Sequence, residues 1–185
     1  MKLLADVGLI GLPNAGKSTL LSRLSAANPK VAPYPFTTLE PQLGVLQVEN
    51  HPSCIIADIP GLIEGAHQGA GLGHRFLRHV ERTAILLHVI DAAEEDPVAH
   101  YRTLERELEL YKQELADRTR IIALNKCDLL PDAEKRRELV SRFAKLTGQP
   151  VLAISAETGL GLGELKLLLA EQLALLKGDE LTAAE

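Results

Sequence analysis

Hydrophobic positions along the chain follow two spacings, which alternate over most of its 185 residues. Short runs rich in Val, Ile and Leu indicate buried strands, whereas longer stretches with apolar residues three and four positions apart indicate helices. The predicted strands are residues 4–10, 45–48, 54–57, 84–90, 120–124 and 150–154. Strands that alternate with helices in this way are typical of a mostly parallel sheet with helices on both faces.

One turn and three helical segments refine this α/β fold. Asn50, His51 and Pro52 separate two apolar runs, so we expect a hairpin and one antiparallel edge strand in a six-stranded sheet. Helices are predicted at residues 17–26 and 163–176. Apolar residues also recur at helical spacing at Tyr101, Leu104, Leu108, Tyr111 and Leu115. This stripe indicates a helix packed on the sheet, and the alternative is a coiled-coil partner.

Composition and charge argue against nucleic-acid binding and against a membrane or disulfide-linked protein. The chain has a net charge of −5 and no Trp, whereas nucleic-acid binders usually present a basic surface and aromatic side chains that stack on bases. It has neither an apolar run of about 18 residues nor a charged-then-apolar leader, so we expect a soluble, cytoplasmic domain that contacts no membrane. Cys54 and Cys127 lie in apolar stretches without metal-binding spacing, which predicts reduced core thiols.

Residues 11–18 read GLPNAGKS and match the phosphate-loop pattern GxxxxGK[ST], between a predicted strand and a predicted helix. Backbone N–H groups in such a loop cradle phosphate oxygens, and the start of the helix favours an anion. Lys17 would contact the β- and γ-phosphates, and Ser18 would offer an oxygen to Mg²⁺. The alternative is a glycine turn with an exposed lysine. The predicted nucleotide contacts here are Gly11, Asn14, Ala15, Gly16, Lys17, Ser18 and Thr19.

A second motif, DIPG at residues 58–61, follows the third predicted strand. The Asp58 carboxylate at a strand end can hold Mg²⁺ through a water molecule, and the N–H of Gly61 can approach a γ-phosphate. Asp and Gly are common in turns, so the motif is weak alone. Its position and its order after the phosphate loop make it persuasive.

Two further motifs indicate which base is bound. In residues 125–128, NKCD, a buried Asp128 would accept from N1–H and the exocyclic amine of guanine, a donor pair that adenine lacks. We expect Asn125 to tie this loop to the phosphate loop and the Lys126 stem to cover the base face. Ser155, Ala156 and Glu157 are similar to a second base-contacting loop, where a backbone N–H meets the guanine O6. All four motifs follow strands, at the edge where α/β sheets bind ligands.

Longer stretches around these motifs give a more specific match. Residues 34–41, YPFTTLEP, and 58–66, DIPGLIEGA, together with 11–19, closely resemble the P-loop G domain of the Obg family of GTPases. The resemblance runs from about residue 5 to residue 176, so we expect a G domain at 1–176 and a polar tail or linker at 177–185. Obg proteins also carry a glycine-rich N-terminal domain and often a C-terminal one. Neither is in this sequence, which we interpret as the G domain of a longer protein.

The resemblance also implies roles for residues of the first switch loop. Thr38 is the expected Mg²⁺ ligand of the switch and the expected sensor of the γ-phosphate, with Phe36 and Thr37 beside the nucleotide. By composition alone, Thr37 is an equal candidate for the Mg²⁺ ligand. The other alternative is that both are ordinary loop threonines. The metal ligands are thus Ser18, Thr38 and Asp58. The implied partners are GTP and GDP, and the large ribosomal subunit through the full-length protein, with the domain itself a monomer.

Hydrolysis is expected to be slow. Efficient GTPases position the attacking water with a glutamine just after DxxG, and here that position is Leu62. Similar GTPases use the asparagine of this loop, which is Asn14 here, to help hold K⁺ beside the phosphates. The alternative is that Asn14 only rigidifies its loop through backbone hydrogen bonds. Glu64 or His67 is a weaker candidate for orienting water. The predicted catalytic residues are Lys17, Thr38, Gly61 and Asn14.

Three functional hypotheses follow. The first is a GTPase timer, favoured by the Mg²⁺ ligand set, which by resemblance would serve assembly of the large ribosomal subunit. The second, favoured by Leu62, is a module that senses the GTP/GDP balance or guanosine tetraphosphate. The third is direct RNA binding by this domain, against which the overall charge argues. A stripe at Arg75, Arg78 and Arg82 could contact ribosomal RNA or an acidic partner, and the alternative is an ordinary solvated helix face. Separately, we expect His88, in an apolar strand, to be a hydrogen-bonded core residue.

Overall fold

The computed structural model describes residues 5–31, 41–58, 83–111 and 118–182. Within these ranges strands and helices alternate, as the sequence predicts. The strands are β1 Val7–Ile10, β2 Lys30–Val31, β3 Gln42–Leu46, β4 Cys54–Asp58, β5 Ile85–Asp91, β6 Thr119–Asn125 and β7 Val151–Ala153. The helices are α1 Lys17–Leu24, α2 Pro97–Tyr111, α3 Ala133–Thr147 and α4 Leu162–Thr182.

In the described ranges the strands form one sheet in the order β2-β3-β4-β1-β5-β6-β7. β1 pairs in parallel with β4 and β5, and β6 pairs in parallel with β5 and β7. β3 is antiparallel to β4, which confirms the predicted hairpin and the α/β fold class. The sheet has seven strands rather than six, because β2 pairs with β3 through Lys30 and Leu43. A two-residue strand is too short to show a hydrophobic period.

The helices differ from the prediction mainly at their ends. α1 begins at Lys17 as predicted and ends two residues early, at Leu24. α4 continues to Thr182, so the predicted tail begins as helix, and its role as a linker stays a prediction. α3 was not predicted, although its ends carry clear signals. The Asp132 carboxylate accepts from the N–H of Lys135 at 2.7 Å, and Gly148 ends the helix with a φ of 65°.

Helices cover both faces of the sheet, which leaves every residue of β5 buried. α1 and α4 pack on one face through side chains that include Leu20, Leu165 and Leu169. α2 and α3 pack on the other, where Tyr101, Leu104, Leu108 and Phe143 are buried. This confirms three positions of the predicted stripe; the side chains of Tyr111 and Leu115 lie outside the described part. Cys54 and Cys127 are buried free thiols, as predicted.

His88 of β5 is a core residue, as expected, but the expected hydrogen bond is wrong. Among the described residues neither ring nitrogen has a hydrogen-bond partner. Nε2 lies 3.6 Å from Oε1 of Glu105, whose other oxygen pairs with Arg120. Burial, with the Arg120 charge as a second cause, lowers the pKa of His88 to about 3. The imidazole is therefore neutral and packs against Tyr101, with ring centroids 5.7 Å apart.

Candidate functional site

The loop between β1 and α1 turns sharply twice. Asn14 and Gly16 both have positive φ angles, of 65° and 97°. Gly16 is the N-terminal capping residue of α1, and no side chain caps the helix or adds an acidic group to its first turn. The first N–H groups of α1 and the positive end of its dipole are therefore available to an anion. This is the arrangement that the phosphate-loop motif predicts.

Two glycines let this loop lie against the neighbouring strands. A Cβ atom on Gly16 would overlap the Asn125 side-chain amide. The positive φ of Gly16 also disfavours any other residue at this position. A Cβ atom on Gly11 would lie 2.5 Å from the carbonyl oxygen of Val89. Both positions thus require glycine for packing reasons that the motif alone does not reveal.

The Lys17 ammonium folds back over the same loop. Its Nζ donates to the carbonyl oxygens of Gly11 at 2.9 Å and Leu12 at 3.3 Å. The positive charge is consequently held above the loop whose N–H groups would surround phosphate oxygens. A lysine in this position suits the β- and γ-phosphates of a nucleotide.

Ser18 and Asp58 form the candidate metal site. The Ser18 hydroxyl donates to Asp58 Oδ2 at 2.9 Å, and the other oxygen, Oδ1, is buried without a hydrogen-bond partner in the described residues. An orphaned carboxylate oxygen beside a hydroxyl is an all-oxygen donor set, which fits Mg²⁺. Across the described ranges no three His, Cys, Asp or Glu side chains cluster to hold a metal. Mg²⁺ would therefore need further oxygens, such as those of phosphates.

Asn125 connects three loops at the carboxyl edge of the sheet. It is buried, and its Nδ2 donates to the carbonyl oxygen of Ala15 at 2.9 Å, the contact with the phosphate loop that the sequence predicts. Its Oδ1 accepts from the N–H of Ala156, also at 2.9 Å. One side-chain amide thus fixes the phosphate loop, its own loop and the loop after β7 relative to one another.

Lys126 precedes the short turn that contains Asp128. Lys126 has a φ of 63°, and its Nζ donates to the carbonyl oxygen of Asn14 at 2.7 Å and to Asp91 Oδ2. Asp128 follows in a single 3₁₀ turn, Cys127–Leu129, and is exposed rather than buried as expected. It lies on the rim of a pocket, where a bound base would cover it.

That pocket has a volume of about 250 Å³ and connects the motifs. It is lined by Gly16, Thr19, Asn125, Lys126, Asp128, Leu129, Ser155, Ala156 and Glu157. All of these except Leu129 are predicted site residues. Leu129 is 64% exposed and provides an apolar wall, which suits the face of a flat ring. The pocket therefore offers both carboxylate and apolar contacts to a base.

The loop after β7 contributes Ser155, Ala156 and Glu157 to the pocket lining, and their backbone N–H groups differ in whether they have a hydrogen-bond partner. The N–H of Ser155 donates to the carbonyl oxygen of Leu160, and the N–H of Ala156 donates to Oδ1 of Asn125. Within the described residues the N–H of Glu157 has no acceptor. Its carbonyl oxygen accepts from Arg23 of α1, which fixes the loop from the other side. Glu157 is thus the member of this triplet whose N–H is open to a base oxygen.

The remaining predicted site residues lie outside the described part of the chain. Those outside the described residues are Phe36, Thr37, Thr38, Gly61, Leu62, Glu64, His67, Arg75, Arg78 and Arg82. Their roles stay predictions. The described residues nevertheless bring the phosphate loop, Asp58 and the loops after β6 and β7 together at one edge of the sheet.

Comparison with known families identifies this arrangement. The family described as 50S ribosome-binding GTPase matches residues 6–126, about two-thirds of the chain. The chain belongs to the 50S ribosome-binding GTPase family. Within the described ranges of this family member, no helix has the length and apolar character needed to cross a bilayer.

Curated relatives of this chain confirm its resemblance to Obg. GTPase Obg of Desulfotalea psychrophila is 61% identical over 174 residues, covering 92% of this chain and 46% of that protein. GTPase Obg of Synechococcus elongatus is 54% identical over 184 residues, covering 100% of this chain and 52% of that protein. The chain therefore spans about half the length of the curated relatives that it matches.

Solved structures confirm the G-domain fold of this family member. Era in complex with MgGDPNP and nucleotides 1506–1542 of 16S ribosomal RNA is 27% identical, with a TM-score of 0.69. That match covers 91% of this chain and 57% of the other. The cytosolic domain of L. pneumophila FeoB is 26% identical, with a TM-score of 0.67, over 89% of this chain and 69% of the other.

Sequence reasoning missed three residues of the site in this GTPase family member. Asp91 and Arg23 contact other residues of the candidate site, and Leu129 lines its pocket. Asp91 could have been found, because it ends a buried strand at the ligand-binding edge. Leu129 directly follows a recognised motif. Arg23 gave no signal, since an exposed arginine on a helix is ordinary.

Proposed function

We propose that this chain binds GTP with Mg²⁺, hydrolyses it slowly and acts as a molecular switch. The observation that carries this proposal is the Asn125 amide, which joins the phosphate loop to both base-contacting loops. These loops surround the 250 Å³ pocket, beside the Ser18–Asp58 pair. A base in the pocket would place its phosphates toward the phosphate loop and the start of α1. The pocket, the phosphate loop and the Ser18–Asp58 pair would thus contact one nucleotide together.

Guanine selectivity would come from one carboxylate and one backbone donor. Asp128 would accept from the two adjacent donors of guanine, and the N–H of Glu157 would donate to its O6. An adenine would leave the Asp128 carboxylate facing no donor pair, which costs affinity once the base excludes water. The Lys126 stem and Leu129 would cover the faces of the ring.

The phosphates would be held by the loop and by Lys17. When nucleotide arrives, its oxygens would replace the carbonyl oxygens of Gly11 and Leu12 as the acceptors of the Lys17 ammonium. Ser18, Asp58 and, from the resemblance, Thr38 would hold Mg²⁺, which supplies positive charge to the phosphates when bound. The N–H of Gly61 is proposed to sense the γ-phosphate.

Hydrolysis breaks the bond between the γ-phosphorus and the bridging oxygen, with water supplying the new P–O bond, and gives GDP and inorganic phosphate. Lys17 and the loop N–H groups would stabilise charge that develops on the phosphate oxygens. Leu62 carries no group that could orient the water, so the chain's own rate would be low. We propose that Asn14 helps to bind K⁺, as a partial substitute for a stronger activator.

In the cell we propose a cytoplasmic role in assembly of the large ribosomal subunit, through the full-length protein. The family description and the name GTPase Obg support this assignment. The alternative is a sensor of the GTP/GDP balance or of guanosine tetraphosphate, which Leu62 favours because it predicts little turnover.

Single-turnover GTP hydrolysis by the chain, with and without Mg²⁺ and in KCl or NaCl at equal ionic strength, tests these proposals. GTP binding with Mg²⁺-dependent release of phosphate supports the switch, and acceleration by K⁺ supports the Asn14 site. Tight GTP and GDP binding with no measurable turnover would favour the sensor. Absence of guanine-nucleotide binding would contradict both.

A further inference from the structure

Asp91 is a buried carboxylate that the functional motifs do not include. It is the last residue of β5, is 9% exposed, and pairs in register with Asn125 of β6. The N–H of Ala92 donates to the carbonyl oxygen of Asn125 at 2.8 Å, which holds the two strand ends together. Asp91 therefore lies beside the base-recognition motif, at the edge of the sheet that binds ligands.

Both oxygens of this carboxylate have partners. Oδ1 accepts from the N–H of Ala93 at 2.9 Å, which fixes the direction of the side chain. Oδ2 forms an ion pair with the Lys126 ammonium, which also donates to the carbonyl oxygen of Asn14. The side-chain exposures are 11% for Asp91 and 32% for Lys126, so water screens this pair only partly.

We propose that Asp91 is a positioning residue for nucleotide binding, which it promotes by holding the Lys126 ammonium on the Asn14 carbonyl. This inference rests on the proposed function. A lysine side chain has many rotamers, and a free ammonium would draw it toward water. Asp91 selects the rotamer in which the stem crosses the base pocket and the ammonium closes the phosphate loop. The base and phosphate subsites are thereby formed before nucleotide binds.

The proposal predicts that Asp91 acts only through Lys126. We would measure the Kd for GDP with Mg²⁺ by calorimetry for the original chain, Asp91→Asn, Lys126→Met and the double variant. Asparagine retains an acceptor for the N–H of Ala93 but removes the charge that holds the ammonium. Asp91→Asn alone should weaken GDP binding by about tenfold, the usual worth of a charge-assisted hydrogen bond. In the Lys126→Met background it should cause no further loss.

Asp96→Asn is the matched control. Asp96 is an exposed carboxylate a few residues further on, and its Oδ1 accepts from the N–H of Ala99 at 3.0 Å, a bond that asparagine also makes. Among the described contacts of Lys126 there is none with Asp96, so GDP affinity should not change. Thermal unfolding of each variant separates a loss of binding from a loss of folded protein.

Three results are distinguishable. Equal losses from Asp91→Asn in both backgrounds would show a general structural role and overturn the proposal. Unchanged affinity in the Asp91→Asn variant would also overturn it, while leaving nucleotide binding intact. If the original chain bound no GDP, the proposed function itself would fail.

Discussion

The hydroxyl of Ser18 donates a hydrogen bond of 2.9 Å to Asp58, although 40 residues separate them in sequence. The bond brings the start of α1 to the end of β4, and the other carboxylate oxygen is buried with no hydrogen-bond partner among the described residues. A hydroxyl and an orphaned carboxylate are suited to a hard divalent cation. This pair therefore makes the Mg²⁺ requirement directly testable.

Ser18→Ala should raise the Mg²⁺ concentration for half-maximal nucleotide binding by about tenfold or more, because one oxygen ligand is lost. The readout is a Mg²⁺ titration of GTP binding, followed by phosphate release. Ser22→Ala, an exposed position on the same helix, is the control and should leave the titration unchanged. An unaltered Mg²⁺ dependence in Ser18→Ala would remove Ser18 from the metal site.

Gly16→Ala should destabilise the fold and abolish GDP binding. The new Cβ atom would overlap the Asn125 amide, and the positive φ adds backbone strain, together about 1–3 kcal/mol. Urea unfolding and GDP calorimetry measure the two effects. Gly163→Ala in α4, where nothing lies within 4 Å of the new atom, should be neutral or slightly stabilising. Similar results for the two variants would contradict the packing argument.

Asp128→Asn should shift base preference from guanine toward xanthine. Asp128 would accept from the exocyclic amine at C2 of guanine, whereas an asparagine amide can donate to the oxygen that xanthine carries at C2. The ratio of GTP affinity to xanthosine triphosphate affinity should therefore fall at least about 100-fold. Competition binding measures the ratio. Asp132→Asn, which retains the helix cap of α3, should keep the original preference. If Asp128→Asn also keeps it, Asp128 does not read the base.

The neutral His88 makes stability depend on pH in acid. Its pKa is about 3 in the folded protein against an ordinary 6.5, so between these values the unfolded chain binds more protons. This residue therefore lowers the free energy of unfolding as pH falls below 6.5 and has no such effect above it. The raised pKa of Glu105, caused mainly by burial, works in the opposite direction.

His88→Leu removes one of these two titrations and keeps Glu105. The variant should therefore lose less stability than the original chain between neutral pH and about pH 4. Urea unfolding across this range provides the comparison. Parallel pH profiles for the two proteins would show that His88 is protonated in the folded state or is not buried.

The sequence predicts most of the sheet and the site for a simple physical reason. A buried strand needs a continuous apolar run, and a phosphate loop needs glycines at fixed spacing, so both leave a local pattern. α3 was missed because only Phe143 on it is fully buried, which leaves little periodicity. Its boundaries were nevertheless available in the capping residues Asp132 and Gly148.

The features that the sequence could not predict depend on how loops and side chains distant in sequence are oriented toward one another. The exposure of Asp128 and the engagement of the Ala156 N–H follow from how three loops meet, which no single motif encodes. The same holds for Asp91, whose partner Lys126 lies 35 residues away. For His88, an apolar strand correctly indicates burial, but whether a hydrogen-bond partner lies within reach depends on the packing of α2.

The Asn125–Ala15 hydrogen bond spans 110 residues, and the Lys126–Asn14 bond spans 112. The phosphate loop is therefore synthesised long before the groups that hold it in place. Contacts between residues so far apart in sequence form late, because they stabilise the fold only after the entropic cost of closing the intervening chain has been met. A nascent chain would therefore gain affinity for nucleotide only once β6 and the loop after β7 have been synthesised, so nucleotide capture would report that the carboxyl edge of the sheet has assembled.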